Sequence, residues 1–212
     1  MKAGYTEIAF IWDKSGSMCY MYADALGGFN SFVQDQKKDN DDTRLTLIQF
    51  DHEVDEVFTS KPISEIKEFT NEDYKLRGST ALLDAVGSTI NRLGKRLSDM
   101  DETERPENVI VVIQTDGEEN SSREFTNTQI QDMIKHQEEK YNWDIVYLGA
   151  NASAFSSNNN IGIAAHKLAD YSNSTTTAAY SATSARIKDI KAGLDLRAMA
   201  SYLADADASI NK

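Results

Sequence analysis

Three runs, "IAFIW" at 8–12, "VIVVIQ" at 109–114 and "WDIVYLG" at 143–149, are apolar almost throughout instead of at alternate positions. A strand with one wet face alternates, whereas a continuously apolar one must be covered on both faces. Such strands belong in the middle of a parallel sheet, because the crossovers between parallel strands lay helices on either side. The intervening sequence supplies those helices. Tyr22, Ala25, Leu26, Phe29, Phe32 and Val33 recur at helical spacing, Leu83, Val86, Ile90, Leu93 and Leu97 step by three and four, and Ile130, Met133 and Ile134 form a shorter stripe. "RLTLIQF" at 44–50 reads as a fourth strand, and the charged "EVDEVF" at 53–58 as an edge strand joined to it by a brief turn. The pattern predicts an α/β fold: a doubly wound, mostly parallel central sheet with one antiparallel edge strand, right-handed βαβ units and helices on both faces.

With 212 residues, two prolines and no Gly/Ser-rich tract, the chain is expected to form a single domain over 1–212, its core about 5–190 and a helical segment beyond. "GIAAHKLADY" at 162–171 has room for a final edge strand, and the Ala-rich 174–206 reads as one or two covering helices broken near Gly193. "SDMDETERPE" at 98–107 is a charged connection. The balance of 34 Asp and Glu against 22 Lys and Arg argues against sequence-independent binding to nucleic acid or to an anionic membrane. No stretch reaches the roughly 18–20 apolar residues of a membrane span. The opening "MKAGYTEIAF" leads straight into a strand, without a cleavable apolar segment. The lone cysteine, Cys19, excludes an internal disulfide or a cysteine-cluster metal site. A cytoplasmic protein is the expectation.

The first apolar run breaks into Asp13-Lys14-Ser15-Gly16-Ser17. Turn chemistry explains Ser and Gly at a strand end; the alternation Asp13, Ser15, Ser17 also turns three oxygen side chains toward one point. Asp116 follows the 109–114 strand within "QTDGEEN", and "RGSTALLD" places Thr80 just before the long amphipathic helix. In an open α/β sheet ligands lie beyond the carboxyl ends of the strands, where the strand order reverses. Asp13, Ser15, Ser17, Thr80 and Asp116, with no His or Cys, form the donor set of a hard cation, Mg²⁺ or Mn²⁺, with Ca²⁺ the larger alternative.

Asp13-Lys14-Ser15-Gly16-Ser17, a threonine in a Gly-Ser-Thr loop, and Thr115-Asp116-Gly117, in that order, resemble the metal-ion-dependent adhesion site of the von Willebrand factor type A domain. "STALLDAVG" and "TDGEENSSREFT" further resemble small stand-alone members from bacteria and their phages, for which the setting would be the bacterial or host cytoplasm. The resemblance implies that Ser15, Ser17 and Thr80 coordinate directly, that Asp13 and Asp116 act mostly through water, and that one position is left for a partner's carboxylate. It implies a protein partner presenting an Asp or Glu, such as an AAA+ ATPase or its client, and neither nucleic acid nor membrane. Neutral hydroxyls as direct ligands leave the cation electrophilic toward that carboxylate.

Two other readings stand beside the binding module. A metal-dependent phosphohydrolase needs a nucleophile or base and a cation for the phosphate, and Lys14 is the only basic residue inside the motif. In the other, the metal merely ties the loops together. No P-loop, nucleophile elbow or Asp-x-Asp loop occurs, so no enzymatic activity is expected. Ser79 is read as the helix N-cap, Glu118 and Glu119 as a solvated or partner-selecting face, Cys19 as a small packing residue, and Trp12 and Trp143 as core. "DNDDT" at 39–43 lacks the glycine and distal Glu of an EF-hand loop and reads as a charged turn, and His52, His136 and His166 match no zinc spacing.

Overall fold

The computed structural model describes residues 1–39, 41–116, 119–149, 161–163, 168–170 and 176–194. The elements in chain order are β1 (Lys2–Asp13), α1 (Tyr22–Lys37), β2 (Asp42–Phe50), β3 (Val54–Pro62), α2 (Leu82–Ser98), β4 (Pro106–Thr115), α3 (Asn127–Tyr141), β5 (Asp144–Gly149), β6 (Leu168–Asp170) and α4 (Thr176–Lys191), with short 3₁₀ turns at Gly16–Met21, Ile63–Glu65 and Glu102–Glu104. The sheet order is β3-β2-β1-β4-β5-β6. Only β3 runs antiparallel, paired with β2; the other neighbours are parallel. The order reverses between β1 and β4, so the crevice expected of a doubly wound sheet opens where Asp13 and Thr115 end neighbouring strands.

Both faces of the central strands are covered, as their unbroken apolar runs require. Ile8, Phe10 and Trp12 point into a core shared with α1 and α4, while Ala9 and Ile11 point into one shared with α2 and α3. Trp12 stacks against Tyr74 at 4.1 Å and against Phe29 at 4.4 Å between ring centres. Trp143 is buried as well. α4 seats on α1 at Gly28, where a Cβ would lie 2.1 Å from the Tyr180 ring. The expected break near Gly193 is present: α4 ends at Lys191 and Gly193 has φ +73°. The expected helix beyond residue 194, and His166, lie outside the described residues.

Two expectations change. Ser79 is exposed and does not cap α2, which begins at Leu82 with Ala81 at the cap position and no capping bond from its own cap residue. The first turn is instead capped from a distance, by Glu119 and Ser122 (below). Cys19 is exposed, because a 3₁₀ turn repeats every three residues: it turns Met18 and Met21 inward and leaves Cys19 and Tyr20 outside.

One buried charge was invisible in the strand pattern. Glu7 has no exposed surface, yet accepts hydrogen bonds from the hydroxyls of Tyr5 (2.7 Å), Thr46 (2.7 Å) and Ser60 (2.8 Å) and pairs with Arg96 at 2.8 Å. It thereby fastens β1, β2, the edge strand β3 and α2 together. Glu7→Ala leaves Arg96 without its countercharge and three hydroxyls without their acceptor, and should cost about 3–5 kcal/mol in urea unfolding, the range for breaking a buried pair. A loss within experimental error would show that water replaces the carboxylate at no cost.

Candidate metal centre

Asp13 closes β1 as a fully buried carboxylate. One oxygen accepts the Ser15 N–H (2.7 Å), which folds the loop back over the strand end, and the other accepts the Thr115 hydroxyl from the adjacent strand (2.6 Å). Tyr74, itself buried against Trp12, donates its hydroxyl to the Asp13 carbonyl at 2.6 Å. Asp116, one residue beyond β4, is close enough for its charge to act on Asp13. No Lys or Arg of the described residues pairs with Asp13. Burial therefore pushes its carboxyl up to about 7, with Asp116 raising it further and the hydrogen bonds from Thr115 and Ser15 working the other way.

Two serine hydroxyls follow this carboxylate in the same loop. Ser15 Oγ and Ser17 Oγ lie 3.1 Å apart. Thr80 is buried and its backbone is held on both sides: its N–H donates to Asn120 Oδ1 (2.9 Å), and its carbonyl accepts the N–H groups of Asn120 (3.0 Å) and Ser121 (3.1 Å). Among the described residues its hydroxyl has no hydrogen-bond partner, so a fixed backbone presents this oxygen. The Gly16 N–H donates to the Gly78 carbonyl at 3.1 Å, tying the 13–17 loop to the loop that carries Thr80. Gly78 has φ +70° and His52 lies 2.3 Å from where a Cβ would be, so this approach requires glycine.

The donor chemistry fits a hard divalent cation. All five groups are oxygens, and the buried Asp13 has no cationic partner among the described residues. Neighbouring ligands of an octahedral Mg²⁺ at about 2.1 Å stand about 3.0 Å apart, close to the separation of the serine oxygens. Lys14, in contrast, is turned away, 7 % exposed and paired with Asp55 at 2.5 Å.

Glu119 does not form a solvated face. It is half-buried; one carboxylate oxygen accepts the N–H groups of Ser121 (3.1 Å) and Ser122 (2.9 Å), and the other the Leu83 N–H (2.9 Å) and the Ser122 hydroxyl (2.8 Å). Ser122 Oγ accepts the Asp84 N–H, and Asp84 in return accepts the N–H groups of Arg123, Glu124 and Phe125. This clasp caps α2 with a negative charge at its positive end and locks the 119–125 segment over it. Glu118 lies outside the described residues. The roles of Thr115, Tyr74, Asn120 and Glu119 were missed in the sequence because each depends on a partner distant in the chain: Asp13 for Thr115 and Tyr74, Thr80 for Asn120 and Leu83 for Glu119. His52 is about half exposed beside Asp51, and His136 packs edge-on against Tyr141.

Carboxylates and hydroxyls gathered beyond the carboxyl ends of neighbouring parallel strands define an α/β domain with a candidate hard-cation centre at its topological switch point. The chain belongs to the von Willebrand factor type A domain family, whose family model matches residues 7–192. Among solved structures it is similar to the von Willebrand factor domain of the type V pili tip protein Mfa5 from Porphyromonas gingivalis (11 % identity, 89 % of this chain and 96 % of that one, TM-score 0.62). It is similar to proximal thread matrix protein 1 from the mussel byssus with a zinc-occupied MIDAS motif (17 % identity, 86 % and 46 %, TM-score 0.55). A third is the manganese-loaded TRAP protein of Plasmodium vivax (13 % identity, 84 % and 73 %, TM-score 0.54). This chain spans about half the length of the mussel protein, and no curated protein sequence matches it. No helix among the described residues is long and apolar enough to cross a membrane.

The Asp13 shift has a measurable sign. Unfolded, the carboxyl titrates near 3.8; folded and metal-free, near 7. Between these values the native state keeps a proton that the unfolded chain has released, so this contribution is present below the lower value and lost as pH rises through the higher. In EDTA, the unfolding free energy of the wild type should fall from about pH 5 to about pH 7.5 more steeply than that of Asp13→Asn. Parallel pH profiles would show that the buried carboxylate is compensated.

Proposed function

We propose that this domain is a divalent-metal-dependent protein-binding module, and not an enzyme. In this reading Ser15, Ser17 and Thr80 hold Mg²⁺ or Mn²⁺ directly, Asp13 and Asp116 hold it mostly through water, and the partner supplies an Asp or Glu. The observation that carries the reading is Asp13: a fully buried carboxylate with no cationic partner among the described residues, bonded to the Thr115 hydroxyl and followed in its loop by the paired hydroxyls of Ser15 and Ser17. The cation supplies an electrophilic point for an incoming carboxylate. The chain supplies a scaffold that keeps Asp13 back, since both of its oxygens are already engaged by Ser15 and Thr115.

The hydrolase alternative needs a cation for a phosphate. Of the basic residues on the 13–17 and 77–81 loops, Lys14 is buried against Asp55 and the Arg77 guanidinium is spent on Asp51 and Glu53. The zinc in the MIDAS motif of the mussel protein and the manganese in the Plasmodium protein support a divalent ion in this fold. The partner we propose is an acidic surface on another protein, an AAA+ ATPase or its client, met in the cytoplasm. A pulldown in Mg²⁺ against EDTA tests this: the proposed partner is retained by wild type in Mg²⁺, and lost both on chelation and in Asp116→Ala.

Saturating metal should stabilise the fold by about 2.7 kcal/mol at one hundred times Kd. Asp116→Ala should abolish that gain while leaving a folded domain, because β4 is held by apolar burial. A wild-type melting temperature indifferent to millimolar Mg²⁺ and Mn²⁺ would refute the reading. Thr80→Ala should weaken partner binding more than metal binding, whereas Ser15→Ala and Ser17→Ala should impair both. Equal losses of metal affinity in all three would remove the special place of Thr80.

A further inference from the structure

The loop that presents Thr80 is held from a direction that none of the metal motifs names. In the turn between β2 and β3, Asp51 is fully buried; its carbonyl accepts the Ala81 N–H (2.7 Å), and its carboxylate accepts the Glu53 N–H (2.8 Å) and Arg77 Nε (2.5 Å). A terminal nitrogen of Arg77 pairs with Glu53 at 2.6 Å and stands 3.7 Å from Asp55, the residue that also holds Lys14. The Arg77 N–H donates to the Lys14 carbonyl at 2.9 Å. Arg77 thus touches the 13–17 loop through its backbone and the β2–β3 turn through its side chain, three residues before Thr80. The acidic groups of Asp51 and Glu53, with His52, bring ligand atoms within 4.8 Å of one another, but the guanidinium already supplies the cation there.

We propose that Arg77 is a positioning residue of the metal centre: forked across Asp51 and Glu53, it braces the 77–81 loop so that the Thr80 hydroxyl is held ready beside Ser15 and Ser17. The inference rests on the metal-site reading given above. A planar guanidinium can engage two carboxylates at once with its donors in a fixed geometry, which a single ammonium cannot. A loop ordered beforehand spends none of the metal's binding energy on its own ordering. Without the fork, Thr80 keeps its bonds to Asn120 and Ser121 and the loop keeps its backbone bonds at Arg77 and Gly78, but the side-chain tie to the β2–β3 turn on its N-terminal side is lost.

The sign of the effect separates this role from a simple charge effect. If Arg77 acted only as a positive charge near the cation, removing it would tighten metal binding. As a brace, its removal weakens binding. Calorimetric titration of Mn²⁺ and Mg²⁺ into Arg77→Gln should show a loss on the order of tenfold, equivalent to freezing about one backbone residue. Arg77→Lys should recover part of it, and Glu53→Gln should fall between Arg77→Gln and wild type. Lys75→Gln, which removes an exposed charge paired with Glu72 nearby, should bind as wild type does. Because the Arg77 side chain is half exposed, the variants should fold. A second readout needs no metal: amide exchange at Thr80 and Ala81 should be faster in metal-free Arg77→Gln than in wild type, with β4 amides unchanged. Metal affinity in Arg77→Gln equal to or tighter than wild type, or unchanged exchange at Thr80 and Ala81, would overturn the brace. A wild type that binds no metal while the exchange difference persists would refute the metal reading alone.

Discussion

Asp13 sets the terms for everything around it. A carboxylate with no exposed surface at the end of a central parallel strand must be compensated, and the described residues offer it a hydroxyl and an amide but no cationic side chain. Hydrogen bonds soften the cost of burial without cancelling it, which is why the group titrates near 7 instead of near 3.8. The sheet's order places this strain at the switch point, where β1 and β4 part company and loops diverge. The loops of residues 13–17, 77–81 and 119–125 then close over it, each tied to another by backbone hydrogen bonds.

The surrounding acidic residues divide into two kinds. Glu119, Asp84 and Asp51 are spent on backbone N–H groups and on Arg77, so they build loops and a helix cap. Asp13 instead ends β1 with its oxygens bonded to Ser15 and Thr115, and the charge of Asp116 acts on it. That division matters for a binding module: carboxylates consumed by the scaffold do not neutralise a bound cation, and a cation left partly unneutralised attracts an external carboxylate. The fold and family are those of the type A domain, while the bound metal, its acidic partner and the bracing role of Arg77 are proposals that separate experiments reach.

Much of this was legible in the chain. The unbroken apolar runs dictated buried parallel strands, the three-and-four spacing dictated covering helices, and the charge on 53–58 marked the antiparallel edge. The order of Asp13, Ser15, Ser17, Thr80 and Asp116 likewise pointed to three loops on one sheet edge, because strand ends in this topology share a side. These are local patterns, and a chain carries them whatever its tertiary contacts.

Other features were decided only by folding, since they join residues far apart in sequence. Helix capping is one case: Ser79 has the right residue type for the N-cap of α2, yet Glu119 and Ser122 do the work from across the crevice. Glu7 sits in a strand that reads as wholly apolar from Ile8 onward, and only the meeting of Thr46, Ser60 and Arg96 makes its burial tolerable. Cys19 looked like packing and faces water, because the period of three in its 3₁₀ turn gives the inner positions to Met18 and Met21. Arg77 carried no motif at all; its fork onto Asp51 and Glu53 exists because the β2–β3 turn comes to rest against the Thr80 loop. Sequence spacing determines periodicity and the order of ligands along the chain, but a polar group's partner is settled by which loops the sheet brings together, and that is a property of the assembled tertiary structure alone.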